Sequence, residues 1–386
     1  MNFDFLTPIK DTIIAHSVLH SAQSLGRNIV IHSTQNGFPE LENVQIAIFG
    51  VLEDRNAEDN LGCGENLQVI RKHLYQLFPG NWHTNIADLG NIIKGNSVED
   101  TYFAVTTLTT YLLKNNIIPI IIGGSQDITY ANYRAYDVLE QTVNLVAVDS
   151  KFDIGSTEDK LNSRSYLSKI VMNEPNNLFN FSNIGYQTYY NSQEELDLLN
   201  SLFFDAYRLG EVKDLTKVEP IMRDADVVSI DIGAIRQSEA SANNNCSPNG
   251  FYGEEVCAIS RYAGISDKVT SFGIYEYNPR FDNNNQTAHL ISQMIWYFIE
   301  GVNYRAKDYP YSTKESYQKF IVLVENDDPI NFYKSDKSGR WWMEINIITN
   351  NKYKRHALIP CTYQDYLEAI DQKIPERWYK ALRKLM

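Results

Sequence analysis

Asn144 to Asp153 reads Asn-Leu-Val-Ala-Val-Asp-Ser-Lys-Phe-Asp, so an unbroken apolar run, Leu145 to Val148, leads directly into Asp149, Lys151 and Asp153. The run is too short for a helix. Because it contains no polar residue, both of its faces must be covered, and that is the habit of a strand inside a parallel sheet. Runs of the same kind stand at Ile46 to Val51, Ile117 to Ile122, Val227 to Ile230 and Val269 to Ile274. Longer segments with helical spacing separate them, which is the signature of repeated βαβ units. The pattern predicts an α/β fold in three layers, a mostly parallel central sheet with helices on both faces.

The intervening helices are legible too. Val98, Tyr102, Val105, Leu108 and Leu112 form one apolar stripe behind Ser97, a good N-cap. A second helix is predicted over Glu194 to Leu209, stopping at Gly210, and a third over Thr287 to Glu300. After about Asp308 the alternation changes. Phe320 to Val324 and Trp342 to Ile348 read as strands between polar turns, and Thr362 can cap a helix from Tyr363. The expected division is therefore residues 1–310 as the α/β unit and residues 311–386 as a C-terminal α+β appendage packed on it. The last stretch, Lys373 to Met386, is basic and carries Trp378 and Leu382 four residues apart. It is expected to cover its own domain, and it leaves room for a protein partner reached through residues 311–386.

Composition narrows the function. Acidic residues number 48 and basic ones 35, giving a net charge of −13, so the basic footprint of a nucleic-acid binder is missing. No apolar stretch is long enough to span a membrane, and Met1 to Ser17 lacks the order of a secretory signal. The four cysteines, Cys63, Cys246, Cys257 and Cys361, are scattered, as unpaired thiols would be. A cytoplasmic location is expected.

In open α/β sheets ligands bind beyond the carboxyl ends of the strands. Three such ends stand out: Gly123-Gly124-Ser125-Gln126-Asp127, Asp149-Ser150-Lys151-Phe152-Asp153 and Ser229-Ile230-Asp231-Ile232-Gly233. If the extended geometry persists past Val148, alternation sends Asp149, Lys151 and Asp153 to one side. A lysine among carboxylates would then make a buried ion cluster, whose loss by Lys151→Ala would cost roughly 3 to 5 kcal/mol.

These stretches resemble the arginase, agmatinase and formimidoylglutamase family of ureohydrolases, whose GGDHS, DAHxD and SxDxD motifs they match in order and spacing. Tyr275-Glu276-Tyr277-Asn278-Pro279 resembles a fourth motif of the family, E-x-N-P. The resemblance covers roughly Ile46 to Ala306. It implies the arginase-like fold, assembly into trimers or hexamers, a pair of manganese ions, and a glutamate at Glu276 that binds a guanidinium or amidine-like substrate.

The departures shape the functional expectation. Of the family's six ligands, the resemblance leaves Asp149, Asp153 and Asp231, whereas the two histidines are replaced by Gln126 and Lys151 and the last aspartate by Gly233. A protonated lysine has no lone pair to give, and glycine has no side chain. At most one weak metal site, at Asp149, Asp153 and Asp231, is expected, and the cofactor expectation is none. The family's proton-shuttling histidine falls near Ser163. The reading is a ureohydrolase-fold protein without its binuclear centre, catalytically inactive and kept for binding or assembly. The alternative is an active C–N hydrolase, formimidoylglutamase-like or acting on another amidine or guanidine, with one metal or none. A third possibility is a scaffold whose appendage does the work.

Overall fold

The computed structural model describes residues 3–156, 158, 160–310, 314–324, 329–345 and 358–385. Among them, ten strands form one sheet: β1 (Leu6–Thr7), β2 (Val30–Ile31), β3 (Ile46–Val51), β4 (Ile86–Ile92), β5 (Ile118–Ile122), β6 (Val143–Val148), β7 (Leu178–Tyr186), β8 (Asp205–Arg208), β9 (Val227–Asp231) and β10 (Ser271–Tyr275). The order is β1-β4-β3-β5-β10-β9-β6-β7-β8, with β2 also on β4. Every pairing is parallel except β1 with β4. The expected three-layer α/β architecture is present.

Strand alternation builds the two faces. Ile46, Ile48, Ile120, Ile122, Val146 and Val148 join one core with the helices at 253–265 and 286–303. Ala47, Phe49, Val51 and Ile121 join another with the helix Val98–Lys114. That helix starts as its sequence indicates: Ser97 Oγ accepts the Asp100 N–H at 3.2 Å and Asp100 Oδ2 accepts the Ser97 N–H at 2.8 Å.

The structure corrects the helix expected over Glu194 to Leu209. It runs only from Gln193 to Ser201, and the chain then turns through Phe203 at φ +56° into edge strand β8. The third expected helix spans Gln286–Asn303.

Beyond residue 314 a second, antiparallel sheet has the order β11 (Tyr317–Val322), β12 (Ile330–Ser335), β13 (Trp341–Glu344) and β14 (Leu358–Cys361). Of the strand expected over Trp342 to Ile348, residues 346–348 lie outside the described residues, as does Met386. Helices Tyr363–Ile370 and Glu376–Leu385 back this sheet over Phe332, Met343, Ile359 and Trp378. Thr362 caps the first of them, its Oγ1 accepting the Asp365 N–H at 3.1 Å. Two cations join the two sheets' units: the buried Arg223 lies 4.4 Å from the Trp342 ring centroid and donates to Cys361 O at 3.0 Å, and the half-buried Lys380 pairs with Asp205 at 3.2 Å. No helix among the described residues is long and apolar enough to cross a membrane.

Burial pushes the Asp205 carboxyl up, but Lys384 and Lys380 outweigh it and hold the group below the usual carboxylate range. A carboxyl whose folded value is depressed stabilises fully above its unfolded value of about 4, and that stabilisation is lost as pH falls through the folded value. Asp205→Asn should therefore lower the urea midpoint near pH 7 and matter far less near pH 3. Equal destabilisation at both would show that the charge of Asp205 is not what holds the contact.

Candidate metal and ligand cleft

Four neighbouring strands, β5, β10, β9 and β6, end side by side. Gln126 follows the first, Glu276 the second and Asp149 the fourth, while Asp231 is the last residue of the third. Topology thus gathers residues separated by up to 150 positions. All the candidates except Gln126 line one cleft, together with Ser163, Arg164 and Asn243.

Asp149, Asp153 and Asp231 each offer an oxygen within 4.8 Å of the other two. The local chain explains how. Asp149 Oδ1 accepts the Lys151 N–H at 2.9 Å, folding the backbone into a turn as soon as β6 ends. Asp153 then sits at φ +52°, a conformation that aspartate tolerates better than most residues. Asp231 Oδ1 accepts the Gly233 N–H at 2.6 Å.

Burial and the neighbouring Asp153 raise the Asp149 carboxyl well above its ordinary value, and burial with Asp149 raises Asp231. Asp153 is pushed up to about 7, mainly by burial, with the charge of Asp231 adding to it. Glu276 is raised by burial and by Asp231. Its Oε1 accepts the Gln126 N–H and its Oε2 accepts from Asn60 Nδ2, both at 2.7 Å.

Lys151 departs from its expected role. Among the described residues it makes no ion pair with Asp149, Asp153 or Asp231, and its ammonium lies 5.8 Å from the Tyr190 ring centroid. The turn at Asp149 ends the strand alternation on which the ion cluster depended. Gly233 brings only backbone: a Cβ there would stand 3.0 Å from Asp231 Oδ1 and 3.4 Å from Asn243 Nδ2. Gln126 is 1% exposed, its Nε2 donates to Ser229 Oγ at 2.9 Å, and its Oε1 has no hydrogen-bond partner among the described residues. Asp149 Oδ2 likewise has none.

Asn60 was missed by sequence reasoning. It donates to the Glu276 backbone carbonyl at 2.9 Å as well as to its carboxylate, and its Oδ1 accepts from Asn278 at 3.1 Å. It lies well beyond the end of β3 at Val51, past the residues the strand-end rule picks out. Arg164, paired with Asp59 at 3.1 Å, likewise carried no strand-end signal. Ser163, where the proton shuttle was expected to be missing, does line the cleft, and its Oγ accepts the Glu58 N–H at 2.9 Å.

The sequence model of the arginase family matches residues 44–300. The formimidoylglutamase of Staphylococcus haemolyticus is 25% identical over 285 residues, covering 68% of this chain and 90% of that protein. Among solved structures, the Trypanosoma cruzi formiminoglutamase with Mn2+ superposes with a TM-score of 0.63 at 18% identity, over 69% of this chain and 96% of that one. The Bacillus subtilis formimidoylglutamase gives 0.64 at 17%, over 69% and 90%.

A solved relative that holds Mn2+ overturns the expectation that no cofactor is involved. The residues here fit one such ion. Three clustered carboxylates, raised by burial and mutual repulsion, with Asp149 Oδ2 unpartnered among the described residues, form an oxygen-rich set of the kind manganese takes. They do not fit a second, since Lys151 and Gly233 supply no donor atom from their side chains.

With no ion pair to break, Lys151→Ala should lower unfolding free energy by less than about 1 kcal/mol, the range of solvated charges. Urea denaturation checks this, and a loss of roughly 3 kcal/mol or more would restore the buried ion cluster.

Proposed function

The chain belongs to the arginase family, and we propose that it is a ureohydrolase-fold protein whose two-manganese centre is reduced to a single cation position, a metal-dependent binding protein without C–N hydrolysis. One observation carries this reading: the three carboxylates converge within 4.8 Å, while the other side of the ligand set is occupied by Lys151 and Gly233. When bound, Mn2+ supplies Lewis acidity and positive charge. Asp149, Asp153 and Asp231 would hold it, and Glu276 faces the same cleft, fixed by Asn60.

Hydrolysis needs a further group to move a proton between water and the leaving nitrogen. No histidine lines the cleft. His73 and His289 stack on each other at 4.9 Å and His16 lies 4.8 Å from His20, all away from the strand ends. Ser163 is a poor substitute at neutral pH, because a hydroxyl without an adjacent base neither accepts nor releases a proton readily. In the same reading residues 1–310 form the ureohydrolase unit, and residues 311–386 form an extension with its own apolar core, suited to assembly.

Glu276 favours one rival, an active hydrolase of an amidine or guanidine substrate using one metal, since its carboxylate faces the cleft that the aspartates share. Calorimetric titration with Mn2+, together with turnover assays on formiminoglutamate, agmatine and arginine in excess Mn2+, separates the two. The expected result is one Mn2+ per chain, abolished by Asp231→Asn, and no turnover above buffer. One ion with turnover selects the rival; two ions would overturn the reduced centre itself.

A further inference from the structure

A second cavity, of about 270 Å³, opens at the carboxyl ends of β7 and β8. It shares no lining residue with the carboxylate cleft. At about 30 Å³ per water it has room for a small organic molecule. Ligands of α/β sheets bind at this end of the strands.

Three cations surround it: Arg208 at the end of β8, Lys213 just beyond, and Arg236 in the loop after β9. The Arg236 guanidinium carbon lies 3.3 Å from the Tyr252 ring centroid, and its Nη2 donates to Gly250 O at 3.2 Å, so the planar head is held open. Its Nε has no hydrogen-bond partner among the described residues. None of the three cations is ion-paired with a carboxylate among those residues. Glu255, the carboxylate in the wall, is committed to the Tyr252 N–H at 2.8 Å.

The remaining wall includes exposed aromatic rings. Tyr189 is 64% exposed, and Tyr252, one face of which carries the Arg236 guanidinium, is 43% exposed, leaving ring surface open to a ligand. Gln187 Nε2 donates to Asn249 O at 3.1 Å and ties the 187–190 turn to the loop that carries Tyr252, so the two rings face the cavity from braced segments. In a chain of net charge −13, three unpaired cations beside exposed rings are an exception to the surface around them. Planar guanidinium groups match phosphate oxygens, and aromatic faces take a flat base.

We propose that this cavity is a binding site for a small aromatic anion of the nucleoside monophosphate type, its phosphate among Arg208, Lys213 and Arg236 and its ring against Tyr189 and Tyr252. The site does not depend on the reading of the carboxylate cleft.

Calorimetry of the full chain at low salt with AMP, adenosine and inorganic phosphate tests it. AMP should bind saturably and at least about tenfold tighter than either fragment. Lys213→Glu and Arg208→Glu should each weaken it by about tenfold or more, and Asp231→Asn should leave it unchanged. Both substituted cations are exposed, so these variants keep the test intact should Arg236→Ala fail to fold. Absence of saturation, AMP no tighter than phosphate, or indifference to Lys213→Glu would each overturn the proposal.

Discussion

Asp149, Asp153 and Asp231 are held close together by neighbouring parallel strands, in a place where water cannot screen them well. At separations near 5 Å and an effective dielectric of about 20, each like-charged pair costs roughly 3 kcal/mol. That exceeds what a surface ion pair returns. The trio must take up either protons or a cation, and the raised Asp153 carboxyl lies in the direction of the first. Lys151 offsets this repulsion only in part: its charge draws all three carboxyls down, but its backbone N–H, and not its ammonium, is what Asp149 engages.

From this constraint the rest of the cleft follows. Asp231 recruits the Gly233 N–H, and that close turn leaves little space for a side chain at 233. Glu276 adds a fourth negative charge nearby and is kept in place by an amide and a backbone N–H, not by a cation. Such an arrangement is costly for folding alone, because buried carboxylates without cations destabilise. A ligand of positive charge is the physical reason to retain it.

The fold was legible where strands are wholly apolar and obscure where they are not. β4, absent from the runs read in the sequence, carries Asp88 and Asn91 in its interior, where Arg71 pairs with Asp88 at 2.7 Å and donates to Asn91 at 2.8 Å. β7 and β8 are broken by Asn, Ser and Asp, and the helical spacing of leucines between them ran on into β8 across the turn at Phe203. In the site, strand ends located the aspartates because position along a parallel strand fixes height in the sheet, and the family resemblance located Glu276, which follows β10. Side-chain direction was another matter. One hydrogen bond from the Lys151 N–H ended the alternation, and nothing in the residue types announced it.

The central claim is a single cation position where the family has a pair, and the coupling between metal ions reports on it directly. Electron paramagnetic resonance of the purified protein with Mn2+ should give the six-line pattern of isolated ions, lost on Asp231→Asn, at every manganese ratio. A multiline spectrum from two exchange-coupled ions would contradict the account.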